Sequence, residues 1–171
     1  MKYIYSLLLL SFLFCITLNA QLYCCKDSVK YLTAFNCIAN DSIIKEKKIS
    51  VSDSIVDLDR YWFSDELKNY PEEKQILNQY REKNKFKWFA PFYSSCLATL
   101  FPDKDKSARN IIFFSKIEDD MLLADLLPHT KQFDRFNYDK MAFQTIGRTY
   151  LFIFAKDGNL KAFFSREIHY D

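Results

Sequence analysis

Cysteine and histidine are the reactive residue types scarce enough in this chain to be followed one by one. The cysteines are Cys15, Cys24, Cys25, Cys37 and Cys96, and the histidines are His129 and His169. Cys96 follows Ser94-Ser95 and could open a helix, whose dipole would lower its thiol pKa. With His129 or His169 as base it would be the nucleophile of a cysteine-dependent hydrolase. No local signature of such enzymes surrounds Cys96, so hydrolysis is the alternative reading and no catalytic residue is assigned.

The competing fate of these thiols depends on compartment. Lys2 gives a basic start, Tyr3 to Leu18 is uncharged and apolar, and Ala20 precedes Gln21. That order reads as a secretory signal peptide over residues 1–20. Its apolar stretch of about 16 residues is shorter than the roughly 20 needed to cross a bilayer, so no stable membrane span is expected after cleavage. Neither Cys15 nor Cys24 follows the small residues that a bacterial lipoprotein signal places before its cysteine. The expected localisation is secreted or periplasmic.

Cleavage would leave Cys24, Cys25, Cys37 and Cys96, an even set in an oxidising compartment. If residues 28–39 are helical, Cys25 and Cys37 stand roughly 18 Å apart, whereas a disulfide needs Cα atoms within about 7 Å. Cys24 and Cys37 fit no better. Cys96 is then the partner for Cys24 or Cys25, closing a loop of roughly 70 residues with a stabilisation of about 4 kcal/mol in the chain-entropy model.

Other constellations have simpler explanations. Asp103-Lys104-Asp105-Lys106-Ser107 resembles the opening of a calcium loop, but Ala108 replaces the turn glycine and Phe114 the bidentate glutamate. The two histidines make no zinc pattern, so neither metal nor cofactor is expected. Asp57 and Asp59 would share a strand face, where a glycosidase-type pair could begin, yet such close acids ordinarily line a wet face. Glu72-Glu73 suits a helix start, and Asp119-Asp120 a turn.

Trp62, Phe63, Trp88, Phe89, Phe92 and Tyr93 gather near the middle of the chain. Aromatics give large rigid contact area in protein and carbohydrate recognition, which makes Trp62, Trp88 and Tyr93 the candidate contacts. The alternative is that they fill a core. Asn40-Asp41-Ser42 fits an N-glycosylation acceptor. Asp27-Ser28-Val29, Asp41-Ser42-Ile43 and Asp53-Ser54-Ile55 resemble O-glycosylation sites of some bacterial envelope proteins.

A formal charge of +2 on 171 residues gives no electrostatic case for nucleic acid. Apolar residues at 49% supply ample surface to bury, and residues 21–171 are enough for a single domain. Its elements follow from pattern. Asp27 can cap a helix on Val29, Leu32, Phe35 and Ala39; Ile49 and Val51 alternate as a short strand; 55–67 fits strand or helix. Pro71, Glu72 and Glu73 open the clearest helix, with Ile76, Leu77 and Tyr80 as its stripe. Residues 94–101 fit either state. Residues 110–117 and 121–127 form one hairpin, and 149–155 with 160–170 a second through Asp157-Gly158, with a short helix near 139–146 between them.

The predicted class is α+β, with helices packed on one face of an antiparallel sheet built largely from two C-terminal hairpins. The matching functional expectation is a small exported non-catalytic domain that binds a protein or glycan partner. An envelope inhibitor or immunity protein is a further alternative.

Overall fold

The computed structural model describes residues 27–44, 48–84, 90–105, 107–129, 137–143 and 145–170. The proposed leader, Cys24, Cys25, Trp88 and Phe89 lie outside the described residues. The class is α+β. Helices α1 (Ser28–Ala39), α2 (Pro71–Asn84), α3 (Ser95–Leu100) and α4 (Tyr138–Ala142) accompany strands β1 (Ile49–Ile55), β2 (Phe92–Tyr93), β3 (Asn110–Phe114), β4 (Met121–Pro128), β5 (Ile146–Phe154) and β6 (Leu160–His169). Two 3-10 turns, Arg60–Phe63 and Glu66–Asn69, account for part of the region that fitted two states. None of the described helices is long and apolar enough to cross a membrane.

The six strands form one sheet in the order β2-β1-β3-β4-β5-β6. Four of its five pairings are antiparallel, and β1 runs parallel to β3 with Ile49 opposite Asn110. Both C-terminal hairpins are present. The first turns through Asp119 and Asp120, both at positive φ, and the second through Gly158 at φ 87°. Residues with φ above zero suit the twist of a two-residue hairpin, which explains acids where a helix or strand would reject them.

Helices cover both faces of the sheet, not one. Strands β3, β4 and β5 are apolar at nearly every position, so each face needs a cover. On the first face, Ile112, Phe114, Leu122, Ala124, Tyr150 and Phe152 pack under Tyr31, Ala34 and Ile38 of α1 and Leu97 of α3. On the second, Ile111, Phe113, Leu123, Leu127, Leu151 and Ile153 pack under Phe63, Leu67, Met141 and Ala142. Each such aromatic or aliphatic side chain contributes roughly 1.5–3 kcal/mol by leaving water.

Residues 94–101 resolve into helix α3. Ser94 caps it by accepting a hydrogen bond from the Leu97 amide, while its own amide donates to the Asp53 carbonyl in an irregular stretch of β1. Helix α2 begins at Pro71 as its proline and acids predict, and Glu73 does more than complement the dipole. It is buried and accepts a hydrogen bond from Lys161 of β6 at 2.5 Å.

Candidate functional site

Helix α1 ends where Asn40 and Asp41 leave the helical path. The Asp41 amide donates to the Ile38 carbonyl, and its carboxylate accepts from the Ile43 amide. This turn points the Asp41 carboxylate at β5. Tyr150 donates its hydroxyl to Asp41 Oδ2 at 3.1 Å, and Arg148 Nε lies 3.7 Å from the same oxygen. The Arg148 guanidinium also donates to Ser165 Oγ, from Nη2 at 3.0 Å. Burial first, and then the Asp41 carboxylate, push the Tyr150 hydroxyl pKa up, so it stays a donor.

This cluster is the wall between two grooves on the first face, beside strand β6. One, of about 590 Å³, runs between Asn36 and Cys37 of α1 and Phe163 and Ser165 of β6. The other, of about 510 Å³, lies beyond Arg148 and reaches Arg109, His129 and Ile146. Helix α1 sits over the middle strands, so the first-face side chains of β6 are left as groove floor. Phe163, Ile43 and Ile146 are 46%, 58% and 56% exposed.

The second face holds a polar cluster of the opposite kind. Asp125, in the middle of β4, is 2% exposed. Its Oδ2 accepts the Tyr138 hydroxyl of α4 at 2.7 Å and also the Tyr170 hydroxyl. Thr149, opposite Asp125 in the register, adds a side-chain hydrogen bond. Desolvation raises the carboxyl pKa against these donors. Burial also raises both phenols, with Asp125 adding to it. These are acid and phenol groups sealed under helix α4.

The residues singled out by sequence are scattered. Trp62 and Tyr93 are 44% and 65% exposed, but Phe63 is fully buried. Tyr93 pairs with Ser54 on the β2 edge, whereas the Trp62 carbonyl accepts from Arg166 on β6, the other edge. Five strand spacings separate β2 from β6, on the order of 24 Å, so Trp62 and Tyr93 form no common patch. Trp88 lies outside the described residues.

Cys96 and the histidines are likewise not brought together. Cys96 opens α3 beside the β1–β2 edge; His129 follows β4 at the Asn110 end of β3; His169 ends β6. His129 Nδ1 lies 3.0 Å from the Ala108 carbonyl, and His169 Nε2 lies 3.3 Å from Glu167. Cys37 is free, and burial raises its pKa, which disfavours a nucleophilic thiolate.

Asp57 and Asp59 follow the end of β1, and they alternate with Val56 and Leu58, which are buried in the core. The Asp105 carboxylate accepts the Ser107 amide, and Lys104 pairs with Asp53. No group of metal-ligating side chains occurs among the described residues. Asn40 and Ser42 are exposed, as a glycan acceptor must be.

Sequence reasoning missed Asp41, Arg148 and Asp125. The available signal for Asp125 was a lone charge inside Met121–Pro128, an otherwise apolar strand. Arg148 lies outside the apolar run 149–155, and β5 starts earlier, at Ile146. No protein-family model, curated protein or solved structure matches this chain.

Proposed function

We propose that the chain is an exported, non-catalytic binding domain that takes its ligand in the two grooves on the first face of the sheet. The observation that carries this reading is the pair of grooves sharing the Asp41–Arg148–Tyr150–Ser165 wall, with Phe163, Ile43 and Ile146 exposed at their margins. The wall is held rigid by its own hydrogen bonds, and exposed apolar side chains around a fixed polar group are the ordinary make-up of a recognition site. Export rests on Lys2, the apolar run and Ala20. A bridge from Cys96 to Cys24 or Cys25 belongs to the same proposal. Its supports are the even set of four cysteines left after cleavage and the free state of Cys37.

Photo-crosslinking in the producing cell tests the binding face, since a benzophenone inserts into C–H bonds of protein and glycan alike. A benzophenone amino acid at Phe163 or Ile146 should yield adducts, and one at Val29, exposed on α1, should not. Adducts at Trp62 or Tyr93 with none at Phe163 or Ile146 would move the site to the sheet edges. A single tight protein adduct would favour the inhibitor or immunity reading over glycan binding. Mass analysis of the unreduced native protein tests the rest. A mature chain starting near Gln21 with one thiol pair blocked is expected, and an intact Met1 start would overturn export.

A further inference from the structure

We propose that the groove between α1 and β6 binds a saccharide, one sugar ring lying on Phe163 with its hydroxyls against the amide and hydroxyl side chains of α1. This rests on the reading of the grooves as the binding face. The floor is the end of an aromatic row. Tyr150 and Phe152 stack at 6.2 Å and 11°, and Phe152 and Phe163 at 5.9 Å and 17°. Phe152 and Phe163 are register partners on β5 and β6, and β6 is the last strand of the sheet. Phe152 is fully buried, whereas Phe163, at the end of the row, keeps 46% of its surface open and borders the groove. Packing on one side and openness on the other give a flat apolar plate held in one orientation, so little ordering remains to be done when a ligand arrives.

The helical side of the groove is polar. Thr33, Asn36 and Asn40 recur at i, i+3 and i+7, so α1 presents them as one stripe beside its buried stripe of Tyr31, Ala34 and Ile38. Ser42 continues the lining past the helix end. Asn40 is oriented by its own side-chain amide, which donates to the Asn36 carbonyl at 2.8 Å. Among the described residues, the side chains of Thr33, Asn36 and Ser42 hydrogen-bond to no other protein group, so they exchange water for ligand hydroxyls. Asp41 and Ser165 also border the groove, but they are engaged by Tyr150 and Arg148 and give it shape rather than ligand contacts. A plate beside a hydrogen-bonding stripe selects a ligand with the same two sides. A fatty ligand would strip water from Thr33 and Asn36 and return no hydrogen bond. An open-chain polyol would replace those bonds and leave Phe163 wet. A sugar ring carries C–H groups on its face and hydroxyls round its rim, and does both. The groove holds about 590 Å³, a size ordinary for small-ligand sites.

The test is titration of the isotopically labelled, unreduced protein with methyl β-glucoside, methyl β-galactoside and methyl N-acetyl-β-glucosaminide, followed by backbone amide resonances. At least one should give saturable shifts at Asn36, Asn40 and Phe163. Sorbitol has the hydroxyls without the ring and cyclohexanol the ring with one hydroxyl, so each should bind at least about tenfold more weakly. Phe163→Leu should weaken the bound sugar about tenfold and Phe163→Tyr should retain it, because a flat face is needed and not apolar area alone. Asn36→Ala, at an exposed helical position, should weaken it about fivefold without lowering the thermal midpoint. Cys37 reports where the sugar sits. It is free, lines this groove and is the one cysteine in the tryptic peptide 31–45, so saturating sugar should slow its alkylation severalfold. No saturable shift from any of the three sugars, equal binding of sorbitol or cyclohexanol, undiminished binding by Phe163→Leu, or unchanged Cys37 alkylation at saturation would overturn the saccharide assignment. If the sugars fail while a benzophenone at Phe163 still captures a partner, only the ligand class falls. If that crosslink fails as well, the groove reading falls with it.

Discussion

Each face of the sheet carries a carboxylate that accepts tyrosine hydroxyls, and the two differ in what lies beyond them. Asp41 takes Tyr150 and neighbours Arg148 at the edge of open grooves. Asp125 takes Tyr138 and Tyr170 under helix α4, with Thr149 across the strand. The first carboxylate has a guanidinium beside it and water within reach. The second has neutral hydroxyl donors and no exposure to speak of. Similar hydrogen-bond chemistry therefore stands open beside grooves in one place and is buried in the other, and access is what separates them.

The largest separation between the two should come from alanine substitution. Asp125→Ala strands the hydroxyls of Tyr138, Tyr170 and Thr149 in a buried site, a loss of about 3 kcal/mol or more by urea denaturation. Asp41→Ala leaves Arg148 and Tyr150 beside a groove that water can enter, and about 1 kcal/mol is expected. Equal losses would break the comparison.

Proton linkage sharpens it further. Because desolvation raises the Asp125 pKa, the folded chain holds this proton to higher pH than the unfolded chain, whose carboxyl titrates near 3.8. The stability this group contributes is complete below that value and is lost as pH rises through the folded pKa. Asp125→Asn keeps an acceptor for the tyrosines and cannot ionise. Its stability relative to the native chain should therefore improve from acid to neutral pH, as read by thermal midpoints. Glu73 runs the other way. Desolvation would raise it, but the hydrogen bond and charge of Lys161 outweigh that and hold it below 4.5. Its contribution is present above 4.5 and lost as pH falls through the lowered pKa, so Glu73→Gln should flatten the acid limb only.

The smallest effects belong to the edge aromatics. Tyr93→Ser should change stability by no more than about 0.5 kcal/mol, because Tyr93 is 65% exposed on a two-residue strand. The same holds for binding, if the ligand sits in the grooves. A crosslink or titration defect in Tyr93→Ser would draw the site away from the first face.

The legible parts of the fold were those written in local chemistry. Pro71 with two acids marked a helix start, and Asp157-Gly158 between apolar runs marked a hairpin. Residues 94–101 were undecidable by period, since six helical residues make too short a pattern, and the Ser94 cap decides them. The parallel partner of β1 left no trace in its own alternation, which records a buried side and says nothing about which strand lies alongside. The site was illegible for the same reason. Asp41 looked like a helix terminator, which it is, and only the tertiary approach of β5 gives its carboxylate a partner 109 positions away.

The β1–β3 pairing also sets an order of arrival. Strands β3 to β6 follow one another in the sheet as they do in the chain, so this meander can assemble from near neighbours. Strand β1 emerges early and waits for β3, with both 3-10 turns, α2, β2 and α3 made in between. A chain threaded across a barrier from its amino end would carry Ile49, Val51 and Ile55 into the new compartment with no strand yet to cover them. Such a chain would need either a holding partner or swift delivery of its second half.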